Sequence, residues 1–491
     1  MSDIQSLRSA YDAIVVGAGP NGLAAGILLA RAGLSVLVVE GSTVAGGGAR
    51  SAELTLPGFI HDPCAAVHPF GKASPLFRSL PLTEHGLKWI EPDAPLAHPL
   101  DGGQAVLVER NFEAMAESLG ADGPAYRRAI SFWVEHWEEL FADLVGPLPL
   151  PPRHPFSILR VAPQSLLPAE PLARMLFRTP GAQALFAGMA GHSMVPLDRP
   201  LTGAFGLMLS MLSHVVGWPI VQGGTQALAN ALVSYYQSLG GELVTGTWVN
   251  SLSELPEARV VLFDTPPRSV LRIAGDWLPD GYRRQLNRFR YGQGVFKVDY
   301  ALDGPIPWEN SACLRTATFH VGGTLQEIAA AEKAVWRGQH PERPFVLLAQ
   351  PTIWDPSRAP QDKHTVWAYS HVPAGSTVDM SGPIEAQIER FAPGFSQRIL
   401  ARHTRNAVQM EEYNPNYVQG DINSGVQDVW QFFTRPTFSL RPYRMARKGL
   451  YFCGSSTPPG GGVHGLCGYF AAQTVLKDFD RLPKTLTKRP A

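Results

Sequence analysis

Residues 13–40 restrict the fold more tightly than any other stretch of this chain. Ala13-Ile14-Val15-Val16 is a short apolar run of the kind that makes a strand buried on both faces. Gly17, Gly19 and Gly22 follow with Gly-x-Gly-x-x-Gly spacing. The first glycine permits a tight turn, the second lets the backbone approach a pyrophosphate, and the third lets the next helix start close to the strand. Pro20 and Asn21 fill the variable positions, and Gly33 is a natural helix stop. A second apolar run, residues 35–39, ends on Glu40 with Gly41 behind it. An acid there, about 20 residues past the glycines, is where a ribose hydroxyl finds its acceptor. Strand, glycines, helix, strand and acid together predict a dinucleotide site. Glu40 disfavours a 2′-phosphate, since a carboxylate repels it and no Arg or Lys follows directly.

The composition narrows the class. A chain of 491 residues is long enough for two or three domains. Its net charge is zero and only 17 % of its residues are charged, so no basic stripe points to nucleic acid. Cys64, Cys313, Cys453 and Cys467 form no Cys-x-x-Cys pair, so neither a metal site nor a redox dithiol is expected. Residues 1–10 lack an apolar core of the signal-peptide type, and the expectation is a reduced, cytoplasmic setting.

Beyond Glu40, Gly46-Gly47-Gly48-Ala49-Arg50 sets bare amides beside an arginine, which suits phosphates lying along the backbone. Here the chain resembles the amino end of the FAD-binding fold shared by phytoene desaturases, amine oxidases and their relatives. Residues 56–62, Leu-Pro-Gly-Phe-Ile-His-Asp, resemble the segment that follows in the phytoene desaturase-like branch. So does Val221-Gln222-Gly223-Gly224-Thr225, with a helix over 226–239 and a strand over 242–249 behind it. The resemblance implies FAD, with the backbone of Val249 against the adenine.

Near the other end, the run 449–454 reads as a last strand, and Gly460, Gly462 and Gly465 repeat the glycine spacing. Too little chain follows for a second nucleotide fold. The stretch offers instead a glycine-lined approach to a helix N-terminus, whose amides and partial positive charge suit the N1/C2=O edge of a reduced flavin. It resembles the carboxyl-terminal flavin motif of the same family, which implies contacts from Gly454, Ser455, Gly462, Val463 and His464. Ser455 stands where many relatives have an acid for the ribityl chain; the desaturase branch often lacks that acid too.

The fold class expected is α/β: a discontinuous Rossmann-type FAD-binding domain with an inserted α+β substrate domain of antiparallel sheet and helices. The divisions are 1–105, 218–280 and 441–491 for the cofactor domain, 106–217 for a helical cap, and 281–440 for the substrate domain. Residues 295–302 alternate as an antiparallel strand, with Lys297 and Asp299 together on one face, either as a surface ion pair or lining a cavity. Residues 204–216 are the most apolar segment, too short to span a bilayer, and read as a buried helix lining a cavity or an element dipping into a membrane surface.

These features predict hydride transfer from a largely apolar, isoprenoid- or lipid-like substrate to flavin N5, with a peripheral membrane contact and no nucleic acid. His464, beside the flavin motif, His192 and His61 are the candidate proton acceptors, with His464 placed first. His61, His192, Met208, Met211 and Asp421 are expected along the substrate, although Asp421 can equally cap a turn. The alternatives are a flavin amine oxidase, with Trp430, Phe432 and Phe433 as an aromatic cage, and a non-catalytic flavoprotein acting through membrane or partner binding.

Overall fold

A computed structural model describes residues 8–147 and 151–486. Residues 148–150 of the proline-rich run 146–152, whose composition reads as a stiff connector, lie outside it, as do 1–7 and 487–491. Two sheets organise the chain. The first has five parallel strands in the order Leu450–Phe452, Glu257–Phe263, Ala10–Val16, Val36–Val39, Glu242–Val244. Its central residues are wholly buried because helices cover both faces, as a parallel sheet requires. Three distant stretches of sequence therefore build one cofactor sheet. Glu242–Val244 is shorter than the expected strand over 242–249, because the chain turns at Gly246, whose φ is +68°.

Helices Pro20–Arg31 and Leu466–Asp478 pack together so closely that a Cβ on Gly468 would lie 1.8 Å from the Asn21 carbonyl oxygen. This crossing joins the two glycine stretches. Asn21 spans them, its Nδ2–H donating to Ser455 Oγ at 3.2 Å.

The second sheet runs Ile399–Arg405, Gly294–Leu302, His364–Val372, Val346–Ala349, Thr318–Val321, Leu96–Leu100, Gln104–Val108. All its pairings are antiparallel except that of Thr318–Val321 with Leu96–Leu100. The hairpin at 96–108, turned by Gly102 and Gly103 at positive φ, thus joins the substrate sheet rather than the cofactor part drawn to 105. Its local pattern says strand but cannot say which sheet. All nine residues of Gly294–Leu302 are buried. Lys297 and Asp299 form a closed ion pair under the Trp367 ring, not a surface pair, because Trp367 and the loop carrying His61 and Cys64 cover that face.

Helix Thr202–Val215 is interior. It packs on Pro180–Gly191, where a Cβ on Gly206 would lie 2.6 Å from the Phe186 ring, and on Gly123–Glu135. A membrane-dipping role for this element is excluded by that burial. No helix among the described residues is long and apolar enough to cross a membrane.

Candidate active site

The amino-terminal glycine loop is shaped by steric demand. Gly17 has φ +106°, and a Cβ on Gly22 would lie 2.1 Å from the Gly17 carbonyl oxygen. Glu40, at the end of its strand, accepts from the amides of Ala18 (2.7 Å) and Ser42 (2.8 Å), which fixes the carboxylate while leaving it lone pairs for a ribose. Gly41 lies under Trp248, whose ring is 2.7 Å from where a Cβ would stand. Val249 is buried in the cluster that holds Tyr11 and Leu37. Arg50 is held by Gly47 O (2.8 Å) and Ser42 Oγ (2.8 Å) and stacks 4.4 Å from the Tyr413 ring centre. Ala49 is buried between Gly48 and Arg50. Gly19, Pro20, Asn21, Gly47 and Gly48 all line the main cavity, so bare backbone faces the space a pyrophosphate needs.

Asp264 was not anticipated from the sequence. It follows the strand Glu257–Phe263 and lies against the same loop, its Oδ2 accepting from the Gly22 amide at 2.9 Å. A carboxyl from one parallel strand therefore caps the helix begun after another. Burial pushes its pKa up to about 8, and nearby Glu40 adds to this, while the Gly22 and Gly19 amides pull it back. Its place at the carboxyl end of an apolar run, as with Glu40, is the signal that marks it.

At the far end, Gly460, Gly462 and Gly465 take φ of +113°, +121° and +69° and lead into helix Leu466–Asp478. Ser455, Gly462, Val463 and His464 line the cavity, and Gly454 packs behind them on Asp264. His464 is not a free base. Its Nδ1 accepts from the Leu466 amide at 3.0 Å, and hydrogen bonds with the backbone of Gly460 and Gly461 hold the ring. It caps the helix, which corrects the expected proton-acceptor role.

The cavity between these ends measures about 570 Å³. Ile158, Val161, Ala204, Met208, Leu347 and Phe433 are typical of its wall. Among the described wall residues there is no Lys, Arg or Glu, and one Asp, Asp264. The wall histidines are neutral at pH 7, since burial lowers His68 to about 4 and His464 to about 4, and burial with nearby His371 lowers His192 to about 3. His192 bonds through Nε2 to His320 Nε2 at 2.9 Å.

Three expected lining residues lie elsewhere. Met211 faces the helical core, three positions round the helix from Met208. His61 is buried beside Asp299, its Nε2 on Thr55 Oγ1 at 2.8 Å. Asp421 closes a turn, accepting from the amides of Gly292, Asn423 and Gly425 at 2.6–2.8 Å. Of the proposed aromatic cage, Phe432 and Phe433 reach the wall, whereas Trp430 is exposed.

His68 is a second wall residue not anticipated from the sequence, since a lone His before Pro69 carries no pattern. It precedes the short helix Pro69–Ala73, which rests on the carboxyl-terminal glycines: a Cβ on Gly71 would lie 2.8 Å from Val463 O, and Ser74 Oγ donates to His464 O at 2.7 Å.

A parallel dinucleotide-binding sheet, two glycine stretches meeting at one helix crossing, and an apolar cavity roofed by a second sheet are the features of a Rossmann-type dinucleotide-binding oxidoreductase. Residues 15–80 match the NAD(P)-binding Rossmann-like domain model. The chain is similar over 97 % of its length to pyridine nucleotide-disulfide oxidoreductase domain-containing protein 2 of Mus musculus, 27 % identical and covering 95 % of that protein. It is 24 % identical to all-trans-zeta-carotene desaturase of Myxococcus xanthus (92 % of this chain, 90 % of that one) and, at the same identity, to a limonene dehydrogenase chain of Castellaniella defragrans (95 % and 94 %). It is 26 % identical to phytoene dehydrogenase of Streptomyces griseus (80 % and 78 %). The phytoene desaturase-like resemblance thus extends over most of the chain. Among solved structures, an oxidoreductase from Methanosarcina mazei superposes with TM-score 0.62 at 16 % identity (95 % of this chain, 99 % of that one). Putrescine oxidase bound to putrescine superposes with TM-score 0.61 at 17 % identity (96 % and 99 %). Both share the fold.

Proposed function

We propose that the protein is an FAD-dependent desaturase or dehydrogenase of a largely apolar, isoprenoid- or lipid-like substrate. The observation that carries this reading is the cavity wall: apolar, without Lys, Arg or Glu, and with its histidines neutral. Such a wall gains by covering apolar surface and offers no ion pair to a charged ligand.

The chain's residues fit FAD. Glu40 would hold the ribose, the backbone of Val249 the adenine, Arg50 and the bare amides of the amino-terminal glycines the pyrophosphate, and the N-terminus of Leu466–Asp478 would meet the ring edge. The chemistry that FAD would supply, when bound there, is a hydride acceptor. The protein orients the substrate carbon and excludes water, with Trp133, Phe205 and Met208 as cavity walls. A peripheral contact with an anionic lipid surface belongs to the same reading. Residues 145–169 and 429–477 contain no Asp or Glu but do contain Arg and Lys, and they carry the exposed apolar residues Phe156, Leu159, Leu166, Trp430, Phe433, Phe438 and Leu440. Both segments also reach the cavity wall, through Ile158 and Leu166 and through Phe432 and Phe433.

The test is anaerobic bleaching of the bound flavin. Limonene or an allylic terpene alcohol is expected to bleach it, and putrescine or cyclohexylamine is not. Bleaching by the amines alone, with peroxide released in air, establishes the amine oxidase reading that the aromatic wall and the putrescine oxidase fold favour. A flavoprotein inert to all of them points to the non-catalytic reading.

A further inference from the structure

Dehydrogenation removes a hydride and a proton from the substrate, and the wall must supply an acceptor for the proton. The Nδ1 lone pair of His464 is taken by the Leu466 amide, and His192 is tied to His320. His68 differs. Its Nε2 lies 2.9 Å from Thr225 Oγ1, and that hydroxyl donates its one hydrogen to the Ala65 carbonyl at 2.8 Å. Thr225 can then only accept, so the network assigns the ring hydrogen to Nε2. The other tautomer leaves a buried Nδ1–H without a partner, which is the costlier arrangement. What remains is a bare Nδ1, buried, without a hydrogen-bond partner, on a residue of the cavity wall.

The backing is fixed as well. The Thr225 amide donates to Asp62 Oδ1 at 2.9 Å, and Asp62 is held by Arg358 at 2.7 Å and by Ser51 at 2.5 Å. Burial holds the His68 pKa down at about 4; the Asp62 carboxylate pulls against this in favour of a positive charge, and Arg358 adds to the lowering. Trp89 packs against the imidazole with ring centres 5.9 Å apart, which leaves little freedom to rotate. The helix that follows His68 rests on Val463 and His464, so this base stands at the ring end of the cofactor groove.

We propose that His68 Nδ1 accepts the substrate proton, and that Thr225 sets the tautomer that keeps this nitrogen bare. The inference rests on the dehydrogenase reading. One C–H bond breaks with its electron pair leaving as hydride to FAD. The neighbouring C–H or O–H bond breaks with its pair forming the new double bond, and that proton goes to His68 Nδ1.

Two measurements test this on the FAD-loaded protein. The first is nitrogen-15 NMR of the histidine rings at neutral pH. The expected result is an Nε2–H tautomer for His68, lost or mixed in Thr225→Val; a protonated Nδ1 overturns the proposal whatever the substrate. The second is anaerobic stopped-flow reduction by limonene or an allylic terpene alcohol. His68→Gln keeps a donor for Thr225 but has no base. Its flavin spectrum and probe affinity are expected to match the parent, while the reduction rate falls about 10²–10⁴-fold. A reduction rate within about threefold of the parent overturns the proposal and leaves the dehydrogenase reading standing. No reduction by either probe in the parent protein overturns that reading and this proposal with it.

Discussion

At neutral pH the carboxyl of Asp264 keeps its proton, because burial and Glu40 push its pKa to about 8 against the pull of two amides. The folded pKa is raised, so the stability tied to this proton is present at low pH and fades as pH rises through about 8. Ionisation also sets a negative charge beside the amides that would meet a pyrophosphate. FAD affinity is therefore expected to weaken as pH rises through about 8, read by flavin fluorescence. Asp264→Asn, whose amide oxygen still accepts from Gly22, is expected to flatten that dependence. An equally steep dependence in the variant would remove Asp264 as its source.

The helix Thr202–Val215 separates two roles by its turn. Met208 lines the cavity and Met211 fills the core, though both look alike in the sequence. Met211→Ala is expected to lower stability by about 2–5 kcal/mol in denaturant unfolding, the cost of a core cavity. Met208→Ala is expected to cost less and to alter which terpene bleaches the flavin; Met208→Trp is expected to slow bleaching by the bulkier probes. Equal stability losses for the two alanine variants would contradict the assignment of faces. The strand Gly294–Leu302 teaches a related lesson. Its alternation reads as one dry and one wet face, but the segment at 60–64 folds over the Lys297–Asp299 side and dries both.

Across the whole molecule, burial keeps many histidines neutral: His61 and His192 at about 3, and His68, His98, His214 and His464 at about 4. Unfolded, each takes a proton below a pKa of about 6.5. The unfolded state then binds more protons, so stability is expected to fall as pH drops from about 6.5 toward 4, tracked by thermal unfolding. A melting temperature flat over that window would contradict the buried, neutral assignment. The apolar rim makes a second prediction at this scale. The protein is expected to sediment with anionic vesicles and less with zwitterionic ones, and Trp430→Ser with Phe438→Ser and Leu440→Ser is expected to release it. Binding unchanged in the triple variant would place the contact elsewhere.

The amino-acid order alone determined the cofactor sheet's first unit, the helix stops and the two glycine stretches. Those features are local: a backbone at positive φ, a Cβ with no room, a run of apolar residues at strand or helix period. It also carried the resemblance that ties the ends of the chain to one nucleotide. Only tertiary structure decided which sheet took the hairpin at 96–108, that His464 and Asp421 are spent on backbone amides, and that Asp264 and His68 face the groove. Each of these depends on what lies opposite in space, on burial and on which hydrogen-bond partners are already used, and residues hundreds of positions apart settle those.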